Sequence, residues 1–213
     1  MRSACAADWK VYTDHSFVGQ LAAGTLSEAC FRRYLTQDYL FLIHFARAYG
    51  LAAFKAETLE DIRAAATGLT ALVGEEMKLH VAYSEEWDLS ETDMAAAPEA
   101  EDTMAYTRYV LEKGLAGDLL DLQVALAPCV VGYAEIGRNL INNAATVLEG
   151  NPYRAWIDMY ASEDFQSVAA AHVAHMDALM ARRGGPGRLA SLITTFRQAT
   201  RLEAAFWDMA LNT

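Results

Sequence analysis

Residues Leu119 to Leu148 constrain the fold more than any other stretch. They form a long apolar run in which Leu119, Leu122, Leu126, Val130, Tyr133, Ile136 and Leu140 recur at steps of three and four. That period specifies a helix. Pro128 interrupts it: proline has no N–H for the carbonyl of Val124, and its ring crowds that carbonyl, so the helix is expected to kink or restart. Cys129 follows directly, and Tyr133 stands four residues on, one turn away over the same face. A thiol beside a helix break with a phenol one turn away can hold a reactive sulfur. The same cysteine can equally be a small buried hydrophobe, because reactivity needs a lowered pKa that sequence does not reveal.

The rest of the composition narrows the class. With 213 residues, 54% of them hydrophobic, the chain is expected to fold as one domain over residues 1–213. Few prolines and few β-branched runs point to an all-α bundle. Three cysteines (Cys5, Cys30, Cys129) do not make a disulfide framework. The start lacks the apolar segment of a signal peptide, and no stretch reaches the ~18 uncharged apolar residues of a membrane span. The expectation is a cytoplasmic protein without a membrane partner. Asp and Glu number 28 against 17 Lys and Arg, a formal charge of −11. Without a basic stripe, nucleic acid is not an expected partner.

In chain order, a first helix is expected over Ala6–Ala22, with Trp9, Tyr12, Phe17 and Leu21 inward and His15 as a hydrogen-bonded core or surface residue. Ser27 caps a second helix whose stripe reads Phe31, Leu35, Asp38, Leu42, Phe45, Tyr49. A carboxylate in such a stripe is costly unless paired, so Asp38 either satisfies a neighbouring helix or faces a polar cavity. Tyr34, Tyr39 and Phe41 flank it as possible walls. Thr58 begins a third helix running to about Trp87, with Glu76 and His80 four apart, read as a salt-linked pair rather than a metal site. Asp88 to Asp102 reads as a polar connection, then Thr103–Lys113 as a short helix bearing Tyr106 and Tyr109, closed by Gly114 and Gly117. Gly150–Asn151–Pro152 reads as a stop and restart with Asn151 as cap. Ser162 caps the next helix, which carries His172 and His175, a weak metal spacing read as a surface or interface pair. After Gly184–Gly187 the last helix, Leu189–Ala210, again has one carboxylate, Glu203, in an apolar stripe of Leu192, Phe196, Thr200, Phe206, Trp207 and Ala210. Asp38, Cys129 and Glu203 can therefore converge on one polar cavity in a helix bundle, a small-molecule site.

Six segments in order carry a family resemblance: Phe31-x-x-Tyr34-x-x-Gln37-Asp38-Tyr39; His80; Tyr106-x-x-Tyr109; Pro128-Cys129-x-x-Gly132-Tyr133-x-Glu135-Ile136-Gly137; Tyr153-x-x-Trp156-Ile157-x-x-Tyr160; and Glu203-x-x-Phe206-Trp207-x-Met209-Ala210. Over nearly its whole length the chain resembles the TenA family (thiaminase II), whose fold is haem-oxygenase-like. The resemblance implies an aminopyrimidine aminohydrolase of thiamin salvage. Such an enzyme converts 4-amino-5-aminomethyl-2-methylpyrimidine to the 5-hydroxymethyl compound and ammonia, and many members also cleave thiamin. It implies Cys129 as nucleophile and Glu203 as proton shuttle, the two catalytic residues. It implies Asp38 as acceptor for the pyrimidine amino group, with Phe41, Tyr106, Tyr133, Tyr160 and Phe206 around the ring and His80 as a supporting group behind them. No cofactor or metal is implied, and the family suggests a homotetramer. The three residues that interrupt the apolar pattern are the three the family uses. Their joint expectation is one enclosed cavity lined by Tyr106, Tyr133, Tyr160 and Phe206.

Two positions depart from the family pattern: Phe41 stands where many members have tyrosine, and Val131 where tryptophan is frequent. Both bear on which pyrimidine is preferred. Two rival functions remain at this stage. One is a non-catalytic pyrimidine- or thiamin-binding regulator, against which the charge and the lack of a basic helix-turn-helix argue. The other is a metal-dependent oxidase on the same fold, which needs about six Glu, His or Asp ligands on facing helices.

Overall fold

The computed structural model describes every residue except Glu86, Asp88 and Thr213, together with all side chains but those of Glu75, Glu76 and Glu85. Among the described residues it is all-α. After a short 3₁₀ turn at Arg2–Cys5 come α1 (Ala6–Thr13), α2 (Ser16–Ala22), α3 (Glu28–Lys55) and α4 (Leu59–Ala71). A π-helical turn at Leu72–Glu76 leads into α5 (Met77–Glu85), then α6 (Glu91–Ala96) and α7 (Glu101–Ala116). The chain ends with α8 (Leu119–Asn142), α9 (Arg154–Ala161), α10 (Glu163–Arg183) and α11 (Arg188–Leu211).

The apolar run becomes α8, with α7, α9, α10 and α11 packed around it. Its residues are buried almost without interruption from Leu119 to Val130. It is long and apolar enough to cross a membrane, yet 83% of its most apolar window is buried inside the protein. Pro128 does not restart the helix, which continues unbroken from Leu119 to Asn142. Helices packed on several sides hold the turn, while the Tyr12 hydroxyl donates to the Pro128 carbonyl at 3.3 Å. Asp118 and Asp121 cap its start reciprocally, each accepting a backbone N–H from the other's end of the turn. Gly132 exists because Tyr12 lies where a Cβ would be, and at Gly137 a Cβ would meet the Tyr160 backbone carbon at 2.5 Å. These close approaches set α1 and α9 against α8.

Ser27, Thr58 and Ser162 cap α3, α4 and α10 as their sequence positions predict, each accepting a backbone N–H three residues on. Elsewhere boundaries move. The first helix is broken at Asp14–His15, where the His15 imidazole accepts the Phe17 N–H and starts α2. The helix expected to reach Trp87 is split by the π turn and ends at Glu85. Asp88 lies outside the described residues, and the connection beyond it contains α6, whose start is capped by a Ser90–Asp93 capping box. Gly114 sits inside α7, its missing Cβ giving room to Leu51 and Leu122. Asn151 does not cap a helix at Pro152; its Oδ1 accepts the Tyr153 N–H and α9 begins at Arg154.

Candidate active site

Several helices bring polar groups into the apolar core. On α3, Tyr34 and Asp38 are one turn apart, and the Tyr34 hydroxyl donates to Asp38 Oδ2 at 2.9 Å. The same oxygen lies 2.7 Å from His80 Nε2 of α5. Both residues are sealed from solvent: Asp38 is 3% exposed and His80 0%. Asp38 thus satisfies neighbouring elements, and no hydrogen bond within the described residues reaches its Oδ1. The Glu76 side chain lies outside the described residues, so the expected Glu76–His80 pair is not described; the described carboxylate partner of His80 is Asp38.

The second carboxylate, Glu203 of α11, is 2% exposed and accepts from the Tyr106 hydroxyl of α7 at 2.8 Å. Burial first, then the charges of Glu203 and Cys129, hold the Tyr106 phenol well above the ordinary tyrosine range. Tyr12 is raised by burial and then by the same two groups. Cys129 and Glu203 therefore lie within electrostatic reach of the same two phenols. Tyr133 is likewise raised, by burial and then by Tyr34, Asp38 and Glu203. At neutral pH all these phenols keep their protons and serve as donors.

Aromatic packing joins the parts. Trp156 Nε1 donates to the Tyr34 oxygen at 3.1 Å, and the Tyr34 and Tyr133 hydroxyls are 3.5 Å apart. Tyr133 packs against Tyr160 with ring centroids 4.7 Å apart, and Phe41 bridges Tyr106 at 4.9 Å and Phe206 at 5.8 Å. All the sequence-predicted site residues are thus buried in one connected region. Tyr34, Trp156 and Tyr12 join them as network members that the sequence did not single out for this role. Tyr39, expected as a wall, is buried instead in a separate small cluster with Leu40 and Met94, its hydroxyl 3.4 Å from Glu91.

The open space differs from expectation. A cavity of about 230 Å³ reaches Cys129, but Phe45, Tyr49, Leu72, Met159 and Phe165 form its walls rather than Tyr106, Tyr133, Tyr160 and Phe206. Cys129 thus lines the cavity and also lies within electrostatic reach of the Tyr106 and Tyr12 phenols. The His172 and His175 pair is not a metal site: His172 bonds the Gln123 carbonyl at 3.1 Å, while His175 joins Arg182 and Thr58 on buried Asp61 of α4. Among the described residues no group of three His, Cys, Asp or Glu is arranged to hold a metal ion.

Comparison with known proteins agrees with this architecture. An uncharacterized protein of Haemophilus influenzae is 42% identical over 204 residues, covering 96% of this chain and 94% of that one. The aminopyrimidine aminohydrolase of Halalkalibacterium halodurans is 35% identical over 205 residues, 96% of this chain and 90% of its own. A crystal structure from a Silicibacter species, described as a TenA family transcription regulator, superposes with a TM-score of 0.93 at 44% identity, over 100% of this chain and 95% of its own. Residues 2–213 match the TENA/THI-4/PQQC family, and the chain belongs to it.

Proposed function

We propose that this protein is an aminopyrimidine aminohydrolase of thiamin salvage, converting 4-amino-5-aminomethyl-2-methylpyrimidine to the 5-hydroxymethyl compound and ammonia. The observation that carries this reading is a buried cysteine on the wall of a small cavity, within electrostatic reach of Tyr106, whose hydroxyl donates to buried Glu203. The relatives named for this reaction support it.

Each residue has a part. Asp38 keeps Oδ1 for the exocyclic amino group of the pyrimidine while Tyr34 and His80 hold Oδ2. The Cys129 thiolate adds to the unsubstituted ring carbon next to the one bearing the aminomethyl group once the adjoining ring nitrogen is protonated, and the enamine so formed pushes its electron pair toward the C–N bond of the leaving amine. Glu203, oriented by Tyr106, delivers a proton to the amine, whose C–N bond then breaks to release ammonia. Water adds to the exposed methylene, gives up a proton, and the sulfur leaves the ring as thiolate. The cavity of about 230 Å³ falls below the roughly 300–1,000 Å³ usual for larger ligands, which suits a single substituted pyrimidine. Phe41, in van der Waals reach of Tyr106 and Phe206, offers that ring an apolar edge.

Ammonia release from the aminomethyl compound, with thiamin as second substrate, tests the reading. Steady release with hydroxymethylpyrimidine as co-product supports it. Tight pyrimidine binding with no ammonia would point to the regulator instead, the role named for the Silicibacter relative.

A further inference from the structure

A second cavity, of about 180 Å³, lies between α4, α8 and α10, with Tyr49 of α3 on its wall. Thr67 of α4 and Ala171 of α10 line it and are exposed, so it meets solvent between those two helices and needs no passage past Cys129. The Tyr49 ring lies close over α4: a Cβ on Gly68 would meet Tyr49 Cζ at 2.8 Å, and any larger residue there would push the ring aside. Among the described residues no carboxylate, lysine or arginine stands on the wall. An ion is therefore poorly matched to this chamber.

Gln123 is the unusual member of the lining. It is 2% exposed, inside the long apolar helix α8, yet its carboxamide makes no hydrogen bond within the described residues. An amide so buried is costly unless something completes it. His172, 7% exposed, directs Nε2 to the Gln123 backbone carbonyl at 3.1 Å. Nε2 therefore carries the proton and Nδ1 is an acceptor. Burial holds the pKa of this imidazole down at about 4, so it is neutral at pH 7. His175 is engaged by Asp61 at 3.0 Å.

We infer that this chamber is a second binding site, separate from the one at Cys129, for one small neutral aminopyrimidine. A carboxamide presents an N–H donor and an oxygen acceptor in one plane. A 4-aminopyrimidine presents the complement, an amino donor beside a ring nitrogen acceptor, the same kind of edge by which glutamine pairs with adenine. Tyr49 supplies an aromatic wall for the ring. The chamber is only a little smaller than the cavity of about 230 Å³ at Cys129, so it admits one ring. The inference is about binding and does not need the hydrolase reading.

The test is a calorimetric titration with 4-amino-2-methylpyrimidine of wild type, Gln123→Met and Ala171→Phe. Methionine keeps the side-chain volume of Gln123 without its donor and acceptor. Phenylalanine at the exposed Ala171 narrows the mouth, and carries the test if Gln123→Met does not fold. Wild type should bind two equivalents per chain, one of them at Cys129. Gln123→Met should keep one, with the other weakened about thirtyfold, the loss of two neutral hydrogen bonds. The analogue 2,4-dimethylpyrimidine, which lacks the amino donor, should bind no second equivalent. Equal numbers of sites in wild type and the folded variants overturn the inference. So does a chamber that takes nicotinamide, whose amide has the same edge, and refuses the aminopyrimidine. A single equivalent in wild type that Gln123→Met loses upholds this site and removes the one at Cys129; a single equivalent that it retains does the reverse.

Discussion

Asp38 receives both of its hydrogen bonds from the protein on Oδ2, and this asymmetry determines what its replacement should do. In Asp38→Asn the amide oxygen must face Tyr34 and His80, so its NH₂ turns toward the pyrimidine amino group, donor against donor. Binding should weaken by about 1.5–3 kcal/mol, read as a raised KM, with kcat largely kept. A collapsed kcat at unchanged KM would make Asp38 a participant in the chemistry instead. Gly132→Ala forces Tyr12 away from α8 and should lower the melting temperature, as overpacked cores lose about 1–3 kcal/mol; an unshifted melt would mean Tyr12 moves freely. Asp38 and Glu203 stood out in the sequence because each interrupts an apolar stripe, and Cys129 because it follows Pro128. The links that join them were not. Trp156 and Tyr34 are 122 residues apart, as Tyr12 and Pro128 are 116, and no local pattern records a partner at that distance.

Between elements, the tie of α4 to α10 rests on one carboxylate. Asp61 is 2% exposed and accepts from Thr58, His175 and both guanidinium nitrogens of Arg182, the last at 2.7 Å. These hydrogen bonds, Arg182 foremost, hold its carboxyl far below the usual range. Arg182 is itself 43% exposed, so solvent screens the pair. Asp61→Asn should then cost about 1–2 kcal/mol rather than the 3–5 kcal/mol of a sealed pair; a denaturant midpoint equal to wild type would contradict it. His172 on α10 titrates in the opposite circumstance, an imidazole whose folded pKa is depressed by burial from 6.5 to about 4. Its unfolded form takes up a proton first as pH falls, so stability is complete above pH 6.5 and declines toward pH 4, by about 3 kcal/mol at most. The melting temperature of His172→Gln should be flatter across that window; parallel curves would remove His172 as the cause. Caps were the legible part of this scale, because Ser27, Thr58 and Ser162 act within one turn. The π turn at Leu72–Glu76, the break at His15 and the late start of α9 were not, since packing and side-chain turns override the apolar period there.

For the whole molecule, the all-α class followed from composition and period, while the arrangement around α8 depends on close approaches that only coordinates reveal. Large apolar side chains remain outside: Phe54 is 86% exposed, Leu115 69% and Leu59 59%. Such surface fits burial between copies, and we propose the homotetramer that the family resemblance implies. Light scattering should give a mass near four times the 23.4 kDa of one chain, and a monomer at micromolar concentration would contradict it. The central claim is covalent hydrolysis by Cys129, and one comparison tests it: ammonia release by wild type and Cys129→Ser from the aminomethylpyrimidine, with product-bound melts to establish folding. Serine is nearly isosteric but scarcely ionised near neutral pH, so release should fall by about three orders of magnitude or more while product still raises the melting temperature. Activity within about tenfold of wild type, only ~1.4 kcal/mol of barrier, would contradict the account and leave Cys129 a packing residue.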